Sequence, residues 1–144
     1  MEYYYDIITK IGEGGYGVAY KARKIRTNNI VTIKQIKKQI SLNEEIPKSI
    51  RREIHILNEL KGNSNVVDIK DILISKTGQY IYFVYDYYEH DLADLIYKKK
   101  SISVRQAKSY IMQMIYALQA VHSKKYIHGD IKPRNFLISS RDKI

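Results

Sequence analysis

The sequence predicts an α+β protein: a five-stranded antiparallel sheet carrying one helix, then the first helices of a second, mainly helical lobe and an irregular loop. Three observations lead there. The first third alternates apolar and polar residues with the period of strands, broken by turn-forming residues. Residues 46–60 switch to the period of a helix. From residue 103 a longer apolar stripe opens on a helix-capping signal.

Tyr5 to Ile11, Tyr16 to Arg23 and Ile30 to Ile36 are short, β-rich runs separated by a Gly-rich segment and a Thr-Asn-Asn turn, which predicts an antiparallel meander. Ile46, Ile50, Ile54, Leu57 and Leu60 recur at helical spacing, with Pro47 near the start and Gly62 just past the end. Val66 to Ser75 and Gln79 to Asp86 read as two further strands around Lys76-Thr77-Gly78. After Tyr88 a helix is expected over Asp91 to Tyr97. A second follows from Ser103, where Gln106 completes a capping box and Val104, Ala107, Ile111, Met114, Leu118 and Val121 draw the apolar stripe.

The 144 residues suit one domain, and 44% hydrophobic content supports an ordinary core. With no cysteine the chain has neither a disulfide framework nor a thiolate metal site, which suits an intracellular protein. No uncharged apolar run approaches the roughly 18 residues of a membrane span, and Met1 to Gly15 lacks the pattern of a signal peptide. A soluble, untargeted chain is expected. The net charge of +10 raises a nucleic-acid partner, but Lys34 to Lys38, Lys98 to Lys100, Lys124 and Lys125 lack the glycine and aromatic interleaving of an RNA-binding motif. Solvated faces and sites for nucleotide phosphates account for the charge better.

Three constellations carry chemistry. Gly12-Glu13-Gly14-Gly15-Tyr16-Gly17 lies between the first two strands, where glycines let the backbone approach a polyphosphate. A dinucleotide-binding unit would need a helix next, and Val18 to Arg23 reads as a strand. Lys34 ends the run Val31-Thr32-Ile33-Lys34 on the third strand, 22 residues after Gly12, and by the resemblance given below would meet α and β phosphates. Glu53, beside the buried stripe at Ile54, is a better ion-pair partner for it than Glu44, Glu45 or Glu59, which flank the helix ends. The strongest signal is His128-Gly129-Asp130-Ile131-Lys132-Pro133-Arg134-Asn135. It sets a carboxylate, a lysine and an amide at the spacing of the H-R-D-L-x-x-x-N catalytic loop, and by the resemblance named next these would accept a hydroxyl proton, neutralise a transferred phosphoryl group and hold a metal. A plain Gly-Asp and Lys-Pro turn does not explain that combination.

On these motifs the chain resembles the protein kinases of the group holding cyclin-dependent and mitogen-activated kinases, over Tyr5 to Ile144. The resemblance implies a protein kinase-like fold, ATP and Mg2+, and transfer of the γ-phosphate to protein Ser or Thr. It implies catalytic roles for Asp130, Lys132, Asn135, Lys34 and Glu53, with Asn135 on the metal. It divides the chain into a first lobe over 1–86, a hinge over 87–91 and the start of a second lobe over 92–144. Tyr85 would be the gatekeeper, and backbone groups around Asp86 and Tyr88 would take the adenine. Ile11, the glycine loop from Gly12 to Gly17, Asp91 and Leu137 would also bind nucleotide. Ala19 and Thr32 stand where the family has the Val and Ala that sandwich adenine, which implies a looser, more polar pocket.

Pro47-Lys48-Ser49-Ile50-Arg51-Arg52-Glu53 is similar to a cyclin-contacting helix, and Tyr82 to Leu92 to the hinge of transcriptional cyclin-dependent kinases, which favours the nucleus. A protein substrate and a cyclin-like subunit are the implied partners, without nucleic acid or membrane. Tyr16 falls where those kinases carry an inhibitory phosphotyrosine. Gly129 replaces the Arg that reads a phosphorylated activation loop. The metal-binding Asp-Phe-Gly would follow Asn135 by about a dozen residues, and Asp142 comes too early to belong to it. The expectation is therefore a kinase fragment inactive alone. The alternative is a pseudokinase module that keeps Lys34, Glu53, Asp130 and Asn135 as relics, and a basic nucleic-acid-binding protein explains only the charge.

Overall fold

The computed structural model describes residues 4–15, 17–36, 46–98, 102–139 and 144. The chain divides into two units, 1–61 with 67–87 and 62–66 with 88–144. In the first unit, β1 (Tyr5–Gly14), β2 (Gly17–Lys24) and β3 (Ile30–Ile36) form the predicted meander. Next come α1 (Lys48–Glu59), β4 (Ile69–Ile74) and β5 (Ile81–Asp86). The strands lie in the order β1-β2-β3-β5-β4, all antiparallel. The predicted α+β architecture is present.

Strand alternation sorts the core onto the two faces of the sheet. One face holds Tyr5, Ala22, Val31, Ile33, Tyr82 and Val84. The other holds Ile36, Ile69, Ile81 and Phe83, and α1 covers it with Ile50, Ile54 and Leu57. The helical stripe expected over 46–60 is the packed face, although Ile46 and Leu60 fall just outside the helix. Pro47 opens α1 with its carbonyl accepting from the amides of Ile50 and Arg51.

Two boundaries differ from expectation. β1 runs past Ile11 to Gly14, because Gly14 pairs with Gly17 and carries the ladder into the loop. β4 and β5 are shorter than 66–75 and 79–86. Residues 63–66 form a turn in which the Val66 amide bonds the Asn63 carbonyl, while Ser75 receives the Tyr80 amide on its hydroxyl.

The second unit begins with β6 (His90–Asp91), α2 (Leu92–Lys98) and α3 (Val104–Ser123) and closes with a 3-10 turn (Pro133–Asn135) and β7 (Leu137–Ile138). Ser103 and Gln106 form the predicted capping box. Leu92, Leu95, Tyr110, Phe136 and Ile138 make the core, with Ile102, Met114 and Ile144 packed on it. The stripe expected on α3 needs correction. Val104 and Ile111 are 72% and 55% exposed, and Tyr110 takes the central buried place. Ala107, Met114 and Leu118 are half-buried and Val121 buried as expected, while Tyr110 takes the place expected of Ile111, because α2 and β7 meet α3 at Tyr110 and Met114.

Candidate active site

In the first unit, cross-strand register assembles the predicted nucleotide residues. Directly paired residues of antiparallel strands share a face. Gly12 pairs with Ala19, Ala19 with Lys34 and Lys34 with Phe83, which defines one row across the sheet. Thr32 pairs with Tyr85 in the next row on the same face. This is the face that packs α1, since Phe83 lies in the α1 cluster and Tyr85 against it.

Lys34 therefore points to the helix, and its Nζ meets Glu53 Oε1 at 3.4 Å. Both side chains keep substantial exposure, 31% and 41%, so the pair adds little to stability. Glu59 instead approaches His55 at 3.9 Å. Glu44, Glu45, Lys37, Lys38, Lys99, Lys100, Asp142 and the proposed phosphotyrosine Tyr16 lie outside the described residues.

Gly12, Gly14 and Gly15 show no internal reason to be glycine. None has positive φ, and a Cβ on any of them meets nothing within 4 Å. Sterics inside the protein do not demand them. Gly17 is different. Its φ is +147°, and a Cβ there would run into the Gln35 carbonyl of β3.

Tyr85 is partly buried edge-on to Phe83, ring centroids 6.4 Å apart. Burial first, and the Glu53 carboxylate second, push its hydroxyl well above the usual tyrosine range. Two contacts at the end of β5 carry no motif. Lys70 pairs with Asp86 at 2.8 Å, and Lys21 Nζ stands 4.2 Å over the Tyr87 ring. Linear spacing reveals neither: Lys70 and Asp86 lie on the adjacent strands β4 and β5, and Tyr87 follows β5, which β3 separates from the strand of Lys21.

In the second unit the loop 128–135 is already assembled around Asp130. Lys132 Nζ and Asn135 Nδ2 both engage Asp130 Oδ2, at 2.8 Å and 2.9 Å. Asn135 Nδ2 also donates to the Asp130 carbonyl, and the Asp130 amide donates to His128 Nδ1. The other carboxylate oxygen, Oδ1, has no hydrogen-bond partner among the described residues. Lys132 first and Asn135 second hold the Asp130 carboxyl below its ordinary pKa, so it is ionised at neutral pH. Gly129 sits at φ +75°, in the left-handed region that glycine occupies without strain.

The ribbon that brackets this loop is too short to read from sequence. His90 pairs with Ile138 and Asp91 with Leu137, while the Leu92 amide donates to the Phe136 carbonyl. Asp91 has a contact on each oxygen: Oδ1 caps the Asp94 amide at 2.8 Å and Oδ2 lies 3.6 Å from Arg134 Nη1. Among the described residues no three His, Cys, Asp or Glu side chains gather as a metal cage, and no helix is long and apolar enough to cross a membrane.

Residues 5–144 match the family described as protein kinase domain. The chain is 37% identical over 134 residues to the probable cyclin-dependent kinase 10 of Dictyostelium discoideum, covering 92% of this chain and 36% of that protein. It is 35% identical over 137 residues to cyclin-dependent kinase 20 of Danio rerio, covering 94% of this chain and 39% of that protein. It is 36% identical over 139 residues to cyclin-dependent kinase-like 5 of Mus musculus, covering 96% of this chain and 14% of that protein. The chain thus spans well under half the length of these relatives.

Proposed function

The chain belongs to the protein kinase family, and from that premise we propose that it carries the nucleotide-binding and catalytic-loop residues of an ATP-dependent Ser/Thr kinase of the cyclin-dependent kinase-like group. Residues 1–86 act as its first lobe, 87–91 as the hinge and 92–144 as the start of the second lobe. The observation that carries the reading is the Asp130–Lys132–Asn135 cluster, a carboxylate held ionised with one oxygen free.

Lys34, aimed by Glu53, takes the α and β phosphates of ATP, and the amides of Gly12 to Gly17 cradle them. In the first unit Ile11, Ala19, Thr32 and Tyr85 offer side-chain contacts to the adenine, and backbone groups near Asp86 hydrogen-bond it. Asp91 reaches the ribose only by sharing a carboxylate that the α2 cap and Arg134 already use.

Asp130 orients the substrate hydroxyl through Oδ1 and accepts its proton. A carboxylate of lowered pKa is a weak base, which suits a reaction whose loose transition state needs positioning more than early proton removal. Lys132 neutralises charge on the moving phosphoryl group. Asn135 fits a metal role: its amide nitrogen is spent on Asp130, leaving a hard oxygen of the kind Mg2+ prefers. Mg2+, when bound, would neutralise phosphate charge, and Asn135 would supply one neutral oxygen to it.

The basic face of α1, with Lys48, Arg51 and Arg52 exposed, is proposed as the seat of a cyclin-like subunit, and nuclear residence goes with that branch. The reading is tested by the longest natural form of the protein acting on a Ser-containing protein substrate, wild type beside Asp130→Asn. A loss of about a thousandfold is expected. Equal rates would exclude Asp130 as the base.

A further inference from the structure

We propose that Lys21 is a positioning residue for nucleotide binding: its ammonium holds the Tyr87 ring and thereby fixes the end of β5, whose backbone takes the adenine. This rests on the reading in which backbone groups near Asp86 hydrogen-bond that base. Lys21 pairs with Thr32 across β2 and β3, and Thr32 with Tyr85 across β3 and β5, so Lys21 lies on the same face of the sheet as Ala19 and Thr32. It stands two residues beyond Ala19, about 7 Å from the row of Ala19 and Lys34 toward the end of β5. Lys34 serves the phosphate end of that face and Lys21 the adenine end.

Backbone pairing alone does not hold the end of β5. Asp86 pairs with Val31, and there the register of β3 with β5 ends, so Tyr87 is the first residue past the ladder. Asp86 has a further tie. Strand β4 slips by one residue against β5 between Ile69 and Asp71, and the extra residue, Lys70, reaches the Asp86 carboxylate at 2.8 Å. Tyr87 is met from the other side of β3, by Lys21 Nζ at 4.2 Å from the ring centroid. Two lysines, from β4 and β2, thus grip consecutive residues at the strand end, and the Lys21 contact is the one that the ladder does not duplicate.

Lys21 and Tyr87 are both half-buried, so this lysine is not a solvated surface charge. An ammonium that has lost part of its water gains more from the electron-rich face of a ring than an exposed one does. The residues directly across from Lys21 in the ladder, Thr9 and Thr32, carry no charge, so they do not compete with the ring for it. A tyrosine has only two side-chain torsions, and a held ring therefore restrains the backbone that carries it. Hydrogen bonds to a base tolerate about half an ångström of error in length. Releasing the ring weakens adenine binding and leaves the phosphate residues as they are.

The test titrates the full chain with ATP and with inorganic tripolyphosphate, each with Mg2+, by calorimetry. Wild type is compared with Lys21→Met, Lys21→Arg, Tyr87→Leu and the double variant Lys21→Met/Tyr87→Leu. Lys21→Met and Tyr87→Leu should each weaken ATP about fivefold and leave tripolyphosphate unchanged, because the pair acts on the base alone. The double variant should bind ATP no more weakly than either single one, since both remove the same contact. Lys21→Arg keeps a cation for the ring and should bind ATP like wild type. ATP binding unmoved by Lys21→Met overturns the proposal and leaves the nucleotide reading intact. Equal loss of both ligands also overturns it, because a charge acting on phosphate or a damaged sheet would do the same. So does a double variant that loses the product of the two single losses. Wild type that binds ATP no more tightly than tripolyphosphate removes the adenine reading and this proposal with it.

Discussion

Tyr5 and Asp71 lie on the two outer strands of the sheet, four strand intervals apart, yet Tyr5 Oη donates to Asp71 Oδ2 at 3.4 Å. A flat sheet would separate those strands by about 19 Å at roughly 4.8 Å per interval. The sheet must therefore curl until its edges approach across the face filled by Ala22, Val31, Ile33, Tyr82 and Val84. Tyr5, only 3% exposed, bridges the open side of that curl.

Removing the hydroxyl and removing the ring should have different consequences. Tyr5→Phe loses one long hydrogen bond and should cost about 0.5–1 kcal/mol. Tyr5→Ala also opens a cavity beneath the curled sheet and should cost about 3–5 kcal/mol. Urea unfolding of both variants measures the gap, and similar losses would mean that the ring does not support the sheet.

Alkaline pH should unfold the first unit. Tyr5, Tyr82 and Tyr85 all have hydroxyls shifted above the usual tyrosine range, with burial the main cause in each. The folded state thus holds these protons more tightly than the unfolded state does. The associated stability is complete below the ordinary tyrosine pKa of about 10 and is lost as pH rises through the folded values. Tyr85 is shifted furthest of the three, so Tyr85→Phe should make the melting temperature fall less steeply between about pH 10 and 12 than in wild type. Parallel slopes would mean that Tyr85 ionises without unfolding the chain.

The sequence was readable where local chemistry acts through spacing. Ser103 and Gln106 announced α3 by a capping box, and Ile50, Ile54 and Leu57 announced the packed face of α1. Lys34 and Glu53 could be matched because strand period and helix period each fix a side-chain direction. What escaped depends on partners remote in sequence. Tyr110 replaced Ile111 in the core because β7, nearly thirty residues on, chooses which line of α3 is covered. The ribbon of His90–Asp91 with Leu137–Ile138 is two residues long on each side, below the length at which alternation can be seen. Lys70 with Asp86 and Lys21 with Tyr87 likewise appear only after the strands have been aligned.

Asp130 owes its lowered pKa mainly to Lys132, so Lys132→Ala should raise it toward the ordinary carboxylate value of about 3.9. Asn135→Ala should raise it less, because the Asn135 bond is the smaller cause. A 13C-carboxyl titration by NMR reads both changes directly without relying on turnover. An Asp130 pKa unmoved by Lys132→Ala would mean that the 2.8 Å contact is not held in solution.

The glycine loop should separate folding from binding. Gly17→Ala places a Cβ against the Gln35 carbonyl at a φ of +147° and should cost about 3 kcal/mol through clash and backbone strain together. Gly12→Ala and Gly14→Ala meet open space at ordinary φ, and both lie in a strand, where glycine is a weak choice. Their folding stability should stay within about 0.5 kcal/mol of wild type or rise slightly. If those glycines exist for a polyphosphate, each of the two variants should still lose roughly tenfold in ATP affinity, equivalent to about 1.4 kcal/mol. Thermal melts with and without ATP distinguish the cases: Gly17→Ala should melt early in both, whereas Gly12→Ala and Gly14→Ala should melt normally and gain less from the nucleotide. Full nucleotide stabilisation of both would remove the ligand from the explanation of those positions.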